Sequence, residues 1–236
     1  MKSCVSTLAR HWAATLFAAF LCLVSSGGVF AANLKLGGTG GALATMQQLA
    51  DAYGATHPDV TITVLPSLGS SGGIKAALAG AIQIAVSSRP IKDAELKQGA
   101  VVVEYGRTPF VFVTSNPGSV DEISTAELVE IYAGRTANWP DGSRIRLVMR
   151  PAGDSDSEMV KGISPAMRQA TMEAEARKGM LFAISDQEAA DELERSAGAL
   201  GTSTLAQILS ERRDLKPLRL DGAAASPANV GNGSYP

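Results

Sequence analysis

Glycines, hydroxyls and a helix start fall together at residues 68–75, Leu-Gly-Ser-Ser-Gly-Gly-Ile-Lys. The apolar alternation at 60–65 reads as a strand leading into this loop, and the run at 74–79 as a helix leading out. Such a junction leaves backbone N–H groups unpaired at the positive end of a helix dipole, with no bulky side chain to bar an anion. Ser70 and Ser71 would add hydroxyl donors, which suits a small oxyanion. An ordinary N-cap serine is the plainer alternative. Arg150 is the second group with clear chemistry: it follows an apolar run at 144–149 and precedes Pro-Ala-Gly-Asp-Ser-Asp-Ser at 151–157. It marks another strand end with polar groups, and a surface ion pair with Asp154 or Asp156 is the plain reading of this arginine. The acidic stretch 154–158 resembles a calcium loop only in part, because Met159 stands where glycine is needed and Pro165 where a closing glutamate is needed.

The elements that must carry these groups alternate in type. A strand at 34–36 enters a Gly-Gly-Thr-Gly-Gly turn at 37–41, and a helix then carries Leu43, Met46, Leu49, Ala50 and Tyr53 at three-and-four spacing. Strands at 60–65 and 82–86 flank the helix that begins near Ile74. This strand-helix-strand-helix-strand order predicts a parallel sheet covered by helices. Ligands of such sheets bind beyond the C-terminal strand ends, which is where residues 37–41, 70–73 and 87–89 fall. Further strands are expected at 101–104, 110–114, 144–149, 181–184 and 215–220. Ser124 with Glu127 reads as a capping box opening a helix that runs to Gly134. Helices are expected at 158–161, 164–178, 187–195 and 204–211, and residues 222–233 as poorly structured.

Composition bounds the function classes. Lysine and arginine number 21 against 23 acidic residues, a net charge of −2, so nothing provides the basic face that nucleic-acid binding needs. Lys2, Arg10, the apolar run at 12–24 and the small residues about 29–31 predict a secretory signal over residues 1–31. The run is shorter than the ~20 residues a membrane span requires. Cys22 lies within it behind Phe20 and Leu21, and no lipid anchor is expected. Cys4 and Cys22 both leave with that segment, so no disulfide is expected. His57 is the one histidine beyond residue 31, and it precedes Pro58. A transition-metal site and a Ser-His-Asp triad are therefore disfavoured. Neither Ser70 nor Ser87 centres a Gly-x-Ser-x-Gly elbow or precedes a lysine by three, so neither an enzyme nor a cofactor is expected.

Five segments in order resemble the phosphate-binding-protein group of periplasmic solute-binding proteins that serve ABC importers. Gly-Ser-Ser-Gly-Gly-Ile-Lys at 69–75 is similar to that family's second ligand loop, and Ala-Val-Ser-Ser-Arg-Pro at 85–90 to its third. Residues 131–134 with Asn138 and Trp139 resemble the stretch ahead of its ligand arginine. Residues 150–156 resemble the arginine segment itself, and 198–201 the segment that turns back toward the first lobe. The resemblance implies an α/β, two-lobed periplasmic-binding-protein fold, each lobe a mixed sheet flanked by helices, with the ligand in the interlobe cleft. It divides the chain into lobe 1 over 32–108, lobe 2 over 109–200 and a return to lobe 1 over 201–236, with crossings near 105–110 and 197–204. Family members continue past the Tyr235-Pro236 equivalent with another strand and helix.

By position, the resemblance implies ligand-binding roles for Thr39, Gly41, Ala42, Ser70, Ser87, Ser88, Arg150, Asp154, Ser155 and Asp156. Two departures qualify it. Ser88 stands where many members have an aspartate that accepts the proton of phosphate and so excludes sulfate. Asp154 and Asp156 stand where the family has serine and threonine. One of them could take over as proton acceptor, or together they could select an organic anion or zwitterion instead. The implied protein is a monomeric periplasmic receptor for phosphate or a similar small oxyanion, handing it to an inner-membrane ABC permease. The alternative is a ligand-sensing module of the same fold that signals to a membrane partner.

Overall fold

The computed structural model describes residues 32–115 and 120–235; the expected signal segment at 1–31 lies outside them. The first sheet is built from β1 (Ala32–Gly38), β2 (Val60–Val64) and β3 (Ile84–Val86), in the order β2-β1-β3 and parallel throughout. Helices α1 (Leu43–Thr56) and α2 (Gly69–Leu78) make the crossovers, as the alternating pattern predicts. The core of this lobe is small: Leu36, Ala42, Leu43, Met46 and Val86, with Ile62 and Val64 against them. A short helix, α3 (Asp93–Lys97), follows β3 and is not foreseen from the sequence.

The second sheet runs β7-β6-β8-β4-β9, from β4 (Phe110–Thr114), β6 (Arg146–Met149), β7 (Leu181–Phe182), β8 (Ala199–Thr204) and β9 (Lys216–Pro217). It is mixed: β6 pairs in parallel with β7 and β8, whereas β4 runs antiparallel to β8 and β9. Val111, Phe112 and Val113 are buried on both faces of β4. A separate two-stranded ladder joins β5 (Glu122–Ile123) to β10 (Arg219–Leu220). Helices α4 (Thr125–Tyr132), α5 (Ser155–Gly162), α6 (Pro165–Ala176), α7 (Asp186–Arg195), α8 (Leu205–Glu211) and α9 (Pro227–Gly231) complete the described chain. The capping box of α4 forms as read, Ser124 accepting from the Glu127 amide and Glu127 from the Ser124 amide.

Several expectations need correction. Residues 199–204 are no crossing: they are β8, hydrogen-bonded on both sides and buried in the larger core. Residues 201–235 add no strand to the first sheet, although α8 packs against α1 and the 3-10 turn of the first lobe. β9 pairs with β4, and Leu215, Leu218, Leu220 and Tyr235 pack into the second core. Among the described residues the chain therefore crosses between sheets once, along residues 98–109. Residues 101–104 form no strand; they belong to this crossing, with Val101, Val102 and Val103 exposed. The first sheet is purely parallel rather than mixed. Residues 222–233 include α9, capped by Ser226 and started by Pro227.

Candidate functional site

The first lobe supplies three loops at the C-terminal ends of its strands. β1 ends at Gly38; buried Thr39 follows, and a 3-10 turn, Gly40–Ala42, leads into α1. The loop after β2 places Ser70 in the first turn of α2, where Leu68 holds the N-cap position without a side-chain bond. Ser70 is therefore not a cap. Its Oγ accepts from the Ser88 amide at 3.1 Å and pairs with Ser88 Oγ at 3.0 Å, tying two loops together. The glycine at 73 is there for packing: a Cβ on it would lie 2.7 Å from the Gly38 Cα. Ser87 bonds locally, its Oγ donating to the Arg89 carbonyl at 2.8 Å. Arg89 turns aside to Glu95, 2.6 Å away, and donates to Ser71 Oγ, which braces the loop that holds Ser88.

The second lobe answers with charge. Arg150 leaves the end of β6 and is buried. Its Nε and Nη2 donate to the two oxygens of Asp154 at 3.2 and 3.1 Å, and Nη1 donates to the Ala183 carbonyl at 2.9 Å. Asp154 also caps α5 by accepting from the Asp156 amide. The ion pair anticipated for Arg150 is thus real, but it lies in the interior and not at the surface. Asp156 is buried, hydrogen-bonded to Thr202, and its pKa is raised to about 7, first by burial and then by the charge of Asp186. Asp186, at the first position of α7, is likewise raised by burial; Arg150 opposes the shift.

The two sides meet at a cleft of about 520 Å³. Thr39, Gly41, Ala42, Ser87 and Ser88 line it from the first lobe, Asp156, Asp186 and Thr204 from the second, and Tyr105 and Arg107 from the crossing. Ser70 stands behind Ser88. Arg150 and Asp154 lie one layer beneath the wall, Arg150 Nη2 being 3.9 Å from Asp186 Oδ1. Ser155 opens α5 but is not among the lining residues. Polar bonds span the cleft: Gln187 Nε2 donates to the Gly40 carbonyl at 2.9 Å and Thr204 Oγ1 to the Gly41 carbonyl at 3.3 Å. Sequence reasoning passes over Asp186, Gln187 and Thr204. The signal was available, since they follow β7 and end β8 and so obey the same strand-end rule that marks Arg150.

The arrangement can hold a small polar solute between hydroxyls and glycine amides on one side and a guanidinium ringed by carboxylates on the other. Among the described residues no group of three or more His, Cys, Asp or Glu side chains is disposed to hold a metal ion. No described helix is long and apolar enough to cross a membrane.

Comparison with known proteins adds an independent line. The profile of the PBP superfamily domain matches residues 25–236. Phosphate-binding protein PstS 2 of Streptococcus agalactiae is 27% identical over 126 residues, covering 53% of this chain and 41% of that protein. Protein SphX of Synechococcus elongatus is 28% identical over 213 residues, covering 80% of this chain and 60% of its own length. The chain thus spans less than half of PstS 2 and less than two thirds of SphX. A Clostridium perfringens protein, described as a phosphate ABC transporter substrate-binding protein and solved with bound phosphate, superposes with a TM-score of 0.71. Its identity is 23%, covering 86% of this chain and 82% of that one. At that identity the likeness establishes the fold.

Proposed function

Because the chain belongs to the PBP superfamily, we propose that it is a solute-binding protein that captures phosphate or a similar small oxyanion and delivers it to an ABC permease. The observation that carries this reading is Ser88 and the Gly41–Ala42 turn facing Asp156 and Asp186 across one cleft, with Ser70 behind Ser88 and Arg150 behind Asp186. The name of the PstS 2 relative, a phosphate-binding protein, supports the same direction. Binding involves no bond making or breaking; the lobes close on the solute about the crossing at residues 98–109. Export to the periplasm through the signal read at 1–31, action as a monomer, and the ligand roles of Thr39, Gly41, Ala42, Ser70, Ser88, Arg150 and Asp156 belong to this proposal.

Asp156 is the better candidate for a proton acceptor toward phosphate, because it lines the cleft while Asp154 is committed to Arg150. Calorimetry against phosphate and sulfate tests this. Asp156→Asn should narrow the preference for phosphate over sulfate, and an unchanged ratio would remove Asp156 from that role.

One specific feature favours a second reading, a receptor for an organic anion or zwitterion. The cleft is several times larger than a tetrahedral oxyanion needs, with Leu49, Phe110, Met159 and Val230 in its walls and two carboxylates able to receive an amine. Phosphonates and amino acids in the same titration separate the two.

A further inference from the structure

Asp186 reaches across the cleft from the start of α7 to the first lobe. The amides of Gly41 and Gly40 donate to its carboxylate, and a Cβ on Gly40 would fall 2.5 Å from its Oδ2. Its Oδ1 stands 3.9 Å from Arg150 Nη2. A single side chain therefore engages the glycine amides of one lobe and faces the guanidinium of the other, the two sets of groups that a clamped anion would use. We infer that Asp186 is a specificity-determining internal competitor, standing where oxygens of an anionic solute would sit, so that an oxyanion gains those amides only as Asp186 gives up its place or its charge. The inference rests on the capture reading above and adds to it a condition on pH.

The electrostatic surroundings set the sign. Asp186 faces Arg150 from the end of β6, Asp154 and Asp156 from the start of α5, and the amide dipoles of the 3-10 turn. Arg107 lines the same cleft from the crossing but is paired with Glu104. On the far side of Gln187, Glu211 is paired with Arg213. With Asp154, Asp156 and Asp186 ionised, one guanidinium meets three carboxylates, and a doubly charged anion is repelled. Burial favours the neutral form of Asp186, so lowering the pH removes that repulsion and frees the amides.

The test is calorimetry with sodium sulfate and inorganic phosphate on the full chain, on Asp186→Asn and on Asp186→Ala, at about pH 8 and about pH 5.5. Sulfate does not titrate in this range, so its pH dependence reports protons on the protein. Wild type should bind sulfate more tightly at the lower pH. Both variants, checked for folding by thermal melts, should bind phosphate and sulfate about 10- to 100-fold more tightly than wild type at pH 8 and show a flatter pH dependence. Phosphate binding by wild type with equal or weaker binding by the folded variants overturns this inference alone. No anion binding by any of the three proteins at either pH overturns the capture reading, and this inference with it.

Discussion

Asp156 is shut away from water and faces the charges of Asp186 and Asp154, so ionising it costs more in the folded protein than in the unfolded chain. Its folded pKa of about 7 lies above the ordinary aspartate value near 4. The folded state therefore holds this proton more tightly, and stability present below about pH 4 is lost as the pH rises toward 7. Asp156→Asn removes that loss: the variant should gain on the order of 2–4 kcal/mol relative to wild type between about pH 4 and pH 8, read from chemical denaturation. A parallel pair of pH profiles would show that burial does not perturb Asp156. Ser70→Ala should weaken anion binding by about 1–3 kcal/mol, because it also releases the Ser88 amide and hydroxyl; unchanged affinity in calorimetry would take both serines out of the site. At this scale the strand-end positions of Thr39 and Gly41, which line the cleft, and of Ser70 behind it were legible from the alternating pattern, while their ligand roles came only from the resemblance. For Asp186 the place after β7 was available as a signal, but nothing local to Ser185-Asp186-Gln187 reveals that α7 begins opposite the 3-10 turn of another lobe. That proximity arises only when the two sheets meet.

Elements were legible where local signals agree. Ser124 and Glu127 mark the start of α4, and Ser124→Ala should cost about 1 kcal/mol in equilibrium unfolding. Residues 101–104 misled because an apolar run satisfies strand periodicity without specifying a partner, and no ladder forms there. Small signals were underweighted too: Ser226 followed by Pro227 starts α9 within a stretch of small residues. The glycine loop before α2 read as an opening for an anion, yet Gly73 serves chiefly to let the helix lie on β1. Gly73→Ala would force α2 off Gly38, costing about 1–3 kcal/mol and displacing Ser70. Its melting temperature should fall and its anion affinity with it, whereas Gly72→Ala, whose added Cβ would meet only Leu68, should leave both nearly unchanged.

At the scale of the molecule, a small parallel lobe and a larger mixed lobe share, among the described residues, one covalent crossing, the packing of α8 on α1 and a set of polar bonds across the cleft. The crossing is exposed and without regular structure, and the Arg107 side chain is 67% exposed. Limited trypsin digestion should cut first after Arg107, dividing the chain near its middle, and a bound anion should slow the cut by drawing the lobes together. First cleavage elsewhere would mean the crossing is better held than its exposure implies. The two-lobed architecture was legible from the separated clusters of polar strand ends and the resemblance they support. The path of residues 201–235 was not, because β9 and β10 are two residues each and their pairing with β4 and β5 is decided by tertiary packing.

All of this depends on a clamp in which lobe-one hydroxyls and amides act together with the Arg150 guanidinium. Titrating inorganic phosphate into the folded protein and into Arg150→Lys tests it most directly, since lysine keeps the charge and loses the planar fork that orders the wall of the cleft. The expected result is saturable one-to-one binding by wild type, weakened about tenfold or more in the variant. Saturable binding that Arg150→Lys leaves untouched, or no binding of any oxyanion by folded wild type, would contradict it.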